Sequence, residues 1–200
     1  MFDIALIFKL AMTFFIVTNP IGNSPAILAV INGFPEKRQR MILLREGLFA
    51  LLLAIFFQYL GEQFLGSLNL KNYTVAYCGG ILLLLLAFQL IFPGRRDDAQ
   101  KGAAREPYVV PIATPLLAGP GLFAIIMISS QEIPPFEMTA SLILCWIGVW
   151  SVLFIAPWLQ RILGKKGMIA LEQIMGMVLA FIATELLIKA TRQFLEICTK

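Results

Sequence analysis

Two short segments of the 200-residue chain combine the residue types that bind a small polar molecule without any ionised side chain. The first is Asn19-Pro20-Ile21-Gly22-Asn23-Ser24-Pro25 and the second is Thr114-Pro115-Leu116-Leu117-Ala118-Gly119-Pro120-Gly121. Proline removes a backbone donor and clashes with the preceding helical turn, while glycine admits conformations closed to other residues. Each segment therefore predicts a helix that stops and restarts. Ser24 ahead of Pro25 reads as an N-cap followed by proline at the first helical position, Gly119 ahead of Pro120 as a weaker version, and Asn19 ahead of Pro20 as a third candidate. A restarting helix presents free N–H groups and the positive end of its dipole, which suit a carboxylate. Unwound carbonyls and the side chains of Asn19, Asn23, Ser24 and Thr114 suit an ammonium group or a cation. The expected binding set is Asn19, Pro20, Gly22, Asn23, Ser24, Pro25, Thr114, Pro115, Ala118, Gly119, Pro120 and Gly121.

Composition says what must hold these segments. The chain is 59% hydrophobic and 14% charged, with a mean hydropathy of +0.83. A soluble domain sits near half apolar and about a quarter charged, so the missing charge points to lipid. The chain has no histidine. That excludes a Ser-His-Asp triad, His-metal ligation and an imidazole proton shuttle. Cys78, Cys145 and Cys198 show neither metal-ligand spacing nor a disulfide framework. No metal, no cofactor and no enzymatic chemistry are expected. The formal charge of +4 does not indicate a nucleic-acid partner, because the basic residues sit in short loops between apolar runs.

Uncharged stretches locate six spans: Leu10 to Pro35, about Met41 to Gly61, Asn72 to Gly94, Pro107 to Gln131, Met138 to Gln160 and about Gly167 to Ala190. Residues 1–200 thus read as a single transmembrane domain of the all-α class. In this arrangement ten lysines and arginines fall on the side of the loops after the first, third and fifth spans, against five on the other. The positive-inside rule places the ten in the cytoplasm and both termini outside. Arg45 and Glu46 read as a local pair at the cytoplasmic boundary.

The two interrupted segments share Pro-x4-Pro and a common offset of 95 residues, which also carries Ala29 onto Ala124, Ile31 onto Ile126 and Lys71 onto Lys166. Residues of about 10–94 and about 105–189 are therefore two repeats. Three spans in each make the second copy inverted relative to the first, with broken first and fourth helices meeting on one site, as in secondary transporters. Re-entrant hairpins in place of full crossings would keep the cavity and change the topology.

Glu172 lies near the start of the last span. Interfacial anchoring is the plain account, and a coupling or gating carboxylate on the cytoplasmic side is the functional one. Ala76, Gly79 and Gly80 give the third span a small-residue packing face.

With these segments the sequence resembles the MarC family of small multipass bacterial inner-membrane proteins, grouped with the small neutral amino acid transporters of the SnatA type. The resemblance is carried by Asn19 to Pro25, by Gly79-Gly80 through Phe92-Pro93, by Pro111 to Gly121, and by Ala170-Leu171-Glu172 through Ile174-Met175-Gly176. It implies a six-span transporter fold and, for some members, uptake of glycine or alanine coupled to a gradient of a cation such as H⁺ or Na⁺. Some members begin the first motif with Asp. Asn19 stands there in this chain and removes a carboxylate from that point. A non-transporting assembly or regulatory protein, or an exporter of another small solute, is the alternative. The partners expected are membrane lipid, the solute and its coupling ion; an apolar exterior fits a monomer and a homo-oligomer alike.

Overall fold

The computed structural model describes residues 3–31, 33–67, 69–92 and 112–198, and among these every regular element is helical. Helix α1 spans Ile4–Thr18, α2 Pro20–Ile31, α3 Glu36–Ser67 and α4 Asn72–Ile91; a π-helical segment, Ile112–Leu117, precedes α5 at Pro120–Glu132 and α6 at Pro135–Cys198. The Asp3 carboxylate caps α1 by accepting from the Leu6 N–H at 3.1 Å.

Among the described residues, four helices are long and apolar enough to cross a membrane: Glu36–Gly61 within α3, Asn72–Ile91, and the two parts of α6, Pro135–Gly164 and Lys166–Ile197. The pair Ile4–Thr18 and Pro20–Ile31, bent by 42°, makes a fifth if it counts as one span. Of the expected span Pro107 to Gln131, residues 107–111 lie outside the described residues. Helix α6 breaks at Gly164, whose φ of 63° and ψ of −179° are open to glycine almost alone.

Helix α3 begins five residues before the expected Met41, because Pro35 ends the preceding turn and Gln39 anchors the new helix by donating to the Phe34 carbonyl at 2.8 Å. This places Glu46 ten residues into α3, where it is completely buried. It keeps the expected local pair with Arg45, and its carboxylate is buried within the protein.

The interior is lined by Phe14, Ile27, Ile31, Leu117, Leu122, Leu142 and Trp146, while Leu85, Phe88, Ile147 and Phe181 point outward. An exterior this apolar is the surface a lipid-facing bundle needs. Lipid offers little hydrophobic force between helices, so close approach through small residues matters. Helix α4 supplies it: a Cβ at Gly79 would strike Ala124 of α5, and one at Gly80 would strike Leu187 of α6. From the other side, a Cβ at Gly176 would strike Leu90. Where α4 starts, the Asn72 and Gln131 side-chain amides pair, tying it to the end of α5.

Candidate functional site

One residue makes the first break. Asn19 adopts the left-handed conformation at φ 50°, ψ 53°, and its N–H closes α1 on the Phe15 carbonyl. Asparagine tolerates this conformation because its short side chain bonds locally. Its Oδ1 accepts from the Gly22 N–H at 3.1 Å, capping α2. Pro20 then opens α2 at a position where a missing N–H costs nothing. A Cβ on Gly22 would collide with the Asn19 amide, so the cap requires glycine there.

The restart is therefore at Asn19-Pro20, and the Ser24-Pro25 cap expected from the sequence does not form. Pro25 lies inside α2. Its missing N–H would have bonded the Ile21 carbonyl four residues back, and the Ser24 hydroxyl donates to that carbonyl instead, at 2.7 Å. Hydroxyl side chains re-satisfy backbone groups freed by proline in this way in membrane helices.

The second break is looser. Thr114 is extended at φ −130°, ψ 137°, and the turn around it closes through the Ala118 N–H on the Ala113 carbonyl at 2.8 Å. Gly119 is extended and caps α5 without a side-chain bond, and Pro120 follows at the first helical positions. This restart agrees with the sequence. Pro120 has no N–H, and the Phe123 N–H bonds the Gly119 carbonyl. That leaves the Gly121 and Leu122 amides as the first donors of α5.

The two breaks meet. The Asn23 side-chain N–H₂ donates to the Leu116 carbonyl at 2.7 Å and to the Thr18 carbonyl at 3.1 Å, so one amide spans both interruptions. Its other end, Oδ1, is buried and has no hydrogen-bond partner among the described residues. The Asn19 Nδ2 is likewise buried without a partner among the described residues.

Beside this junction lies a cavity of about 290 Å³. Its walls include Asn23 from the first break, Leu116, Gly119, Pro120, Gly121 and Leu122 from the second, and Leu82, Leu83 and Gln89 from α4. That volume is at the small end for ligand cavities, which start at ~300 Å³. Asn23, Gly119, Pro120 and Gly121 of the expected set thus come together on one cavity. Asn19, Pro20, Gly22, Ser24 and Pro25 build the break behind it; Thr114 is half-buried and Ala118 buried in the second break. The backbone of Pro115 belongs to the π-helical segment. Gln89 was missed in the sequence, though it is a lone amide after the Leu82 to Leu86 run.

Glu172 is 5% exposed. It is outside the cavity's walls, next to Gln173, which donates to the Ile91 carbonyl at the end of α4 at 3.0 Å. Among the described residues, no cluster of three metal-binding side chains occurs.

The sequence profile described as MarC family integral membrane protein matches residues 4–195. The UPF0056 inner membrane protein YhgN of Escherichia coli (strain K12) is 35% identical over 193 residues, covering 95% of this chain and 98% of the relative. The UPF0056 membrane protein BU449 of Buchnera aphidicola subsp. Acyrthosiphon pisum is 33% identical over 183 residues, covering 90% and 93%. A UPF0056 membrane protein of Chlamydia trachomatis serovar D is 28% identical over 188 residues, covering 92% of each chain. No solved structure matches.

Proposed function

The chain belongs to the MarC family of integral membrane proteins, and we propose that it is a secondary transporter of small neutral amino acids, glycine or alanine in kind, in the inner membrane of a bacterium. One observation carries this reading: Asn23, whose Oδ1 accepts from no donor among the described residues, and the uncapped N-terminus of α5 border the same small cavity. An amino acid zwitterion needs one of each. Its ammonium group donates to Asn23 Oδ1, and its carboxylate takes the Gly121 and Leu122 amides at the positive end of the α5 dipole. The α4 walls, Leu82 and Leu83 with the uncharged amide of Gln89, leave room for hydrogen or a methyl side chain and carry no charge to pair with an ionised one.

Six spans follow if the α1–α2 pair crosses once and the segment through Ile112–Leu117 and α5 crosses once more. The repeats of about 10–94 and 105–189 are then inverted, both termini are periplasmic, and alternating access is a rocking of one repeat on the other about the Asn23–Leu116 contact. Glu172 sits where α4 and α6 pack closely at the cytoplasmic end, a position suited to a gate.

The purified protein in liposomes, loaded with unlabelled glycine and offered labelled glycine outside, tests this. Accumulation by counterflow is expected, with competition by alanine. Absence of counterflow for glycine, alanine and serine in vesicles whose protein is folded sinks the proposal. A reporter fused to the C-terminus and read as cytoplasmic would overturn the topology alone.

A further inference from the structure

The fold buries a carboxylate that the cavity does not use. Glu46 is completely buried on α3. One of its oxygens, Oε1, accepts from two of the three guanidinium nitrogens of Arg45, Nε at 3.0 Å and Nη2 at 2.9 Å. The other, Oε2, is buried with no hydrogen-bond partner among the described residues. Glu46 stands six residues beyond Arg40, or about 9 Å deeper along the axis. A carboxylate so placed is costly and marks an ion pathway by default, and an unpaired charged oxygen adds to that cost.

Its direction follows from register. On α3, Phe57 stacks on Phe123 of α5 with ring centroids 4.2 Å apart, and a Cβ on Gly61 would strike Met127. Both pairs keep one sequence offset, so α3 and α5 run side by side in the same direction. Eleven residues are about three helical turns, so Glu46 shares the face of Phe57. The segment Ile112–Leu117, which leads into α5, also packs on α3.

Few groups compete there. Gly47 meets Trp150, and its carbonyl accepts from Trp146 Nε1 at 2.7 Å, which fixes the stretch of α6 alongside. Between Glu137 and Arg161 that stretch has no charged side chain and one titratable group, Cys145; the π-helical segment has none, and α5 has none before Glu132. Arg45 on α3 itself is the one charge seen against Glu46 among the described residues.

We propose that Oε2 of Glu46 binds the monovalent cation, H⁺ or Na⁺, whose gradient drives the solute. Binding there competes with Arg45 for the carboxylate and loosens the ion pair on the helix that packs against the second break, which links occupancy of this oxygen to the geometry of the cavity. This role rests on the transporter reading; cation occupancy of Oε2 does not.

A hydrophobic carbodiimide tests occupancy on the wild-type protein in membranes. The reagent adds across the O–H of a protonated buried carboxyl to give an O-acylisourea, which rearranges to a stable N-acylurea that peptide mass spectrometry locates. Labelling at Glu46 that falls as pH rises is expected, and protection by Na⁺ at fixed pH identifies Na⁺ rather than H⁺ alone. Glu46 unlabelled at every pH, or labelled equally at all pH values and Na⁺ concentrations, overturns the proposal. In liposomes, Glu46→Gln is expected to lower the ratio of gradient-driven uptake to counterflow of glycine by about tenfold, within the range of coupling between two sites. Glu46→Asp is expected to keep the coupling with a shifted pH or Na⁺ midpoint. An unchanged ratio in folded Glu46→Gln protein overturns the coupling role. Labelling at Glu46 without glycine flux in the wild type rejects the transporter reading and leaves the cation site standing.

Discussion

The Asn23 side-chain amide on α2 donates to the Leu116 carbonyl at 2.7 Å, joining two helix breaks that are 93 residues apart in sequence. The same nitrogen holds the Thr18 carbonyl at 3.1 Å. Replacing Asn23 by Leu leaves both carbonyls in an apolar interior without this donor. A loss of about 1–3 kcal/mol is expected for an unsatisfied buried group, read as a lower unfolding temperature in detergent. Glycine counterflow should vanish, because Oδ1 goes with the amide. Asn23→Asp retains the oxygen and discards the donor, so it should remain destabilised; a stability equal to wild type would show that the bridge contributes nothing.

Ser24 and Pro25 form a coupled pair. The Ser24 hydroxyl serves the Ile21 carbonyl only because Pro25 has no N–H to give it. Ser24→Ala alone is expected to destabilise by about 1–3 kcal/mol. In the Pro25→Ala background an N–H returns to that carbonyl, and the same serine change should cost little. The double-mutant cycle should give a coupling of about 0.5–3 kcal/mol. Additive effects in thermal melts would show that the hydroxyl does not replace the missing donor.

The breaks were readable because proline, glycine and asparagine act through local backbone rules. Pro120 after Gly119 signals a restart wherever the chain lies, and the structure has it there. The first restart was left between two candidates five residues apart for an instructive reason. Ser-Pro and Asn-Pro both carry the cap signal, and choosing between them needs the left-handed backbone of Asn19 and the clear space over Gly22 that its amide fills. Pro25 inside α2 depended on a hydroxyl one residue away, which looked like a cap in the sequence. Glu46 was illegible for a different reason. Its depth turns on α3 starting at Glu36, and its face on the stacking of Phe57 with Phe123, a contact between residues 66 apart. Gln89 borders the cavity only because α4 packs against the second break.

Gly121 and Leu83 should be energetically coupled across the cavity wall. A Cβ at Gly121 would fall within the Leu83 side chain. Gly121→Ala therefore forces Leu83 to move, at a cost of about 1–3 kcal/mol for overpacking. Leu83→Ala makes room and should recover much of that cost, giving a coupling of about 0.5–3 kcal/mol in a double-mutant cycle. The alanine methyl also crowds the Gly121 amide, so the double variant should regain stability without regaining wild-type glycine counterflow. Recovery of both would mean that the start of α5 does not bind the solute.

Glu172 separates gating from coupling. It is nearly buried on the α6 turn that grips the end of α4, where Gln173 takes the Ile91 carbonyl at 3.0 Å and Gly176 admits Leu90. A residue that governs how α4 and α6 close acts on every turnover, whichever force drives it. Glu172→Gln is therefore expected to slow counterflow and gradient-driven uptake by the same factor, about fivefold or more for a coupling of ~1–3 kcal/mol, and to leave the pH and Na⁺ dependence of uptake in place. A cation-coupling carboxylate would behave otherwise: its neutralisation would depress driven uptake selectively and flatten the ion dependence. Parallel initial-rate measurements of both fluxes in one preparation of liposomes decide between them. Selective loss of driven uptake in Glu172→Gln, with the ion dependence intact in Glu46→Gln, would move the coupling site from α3 to α6.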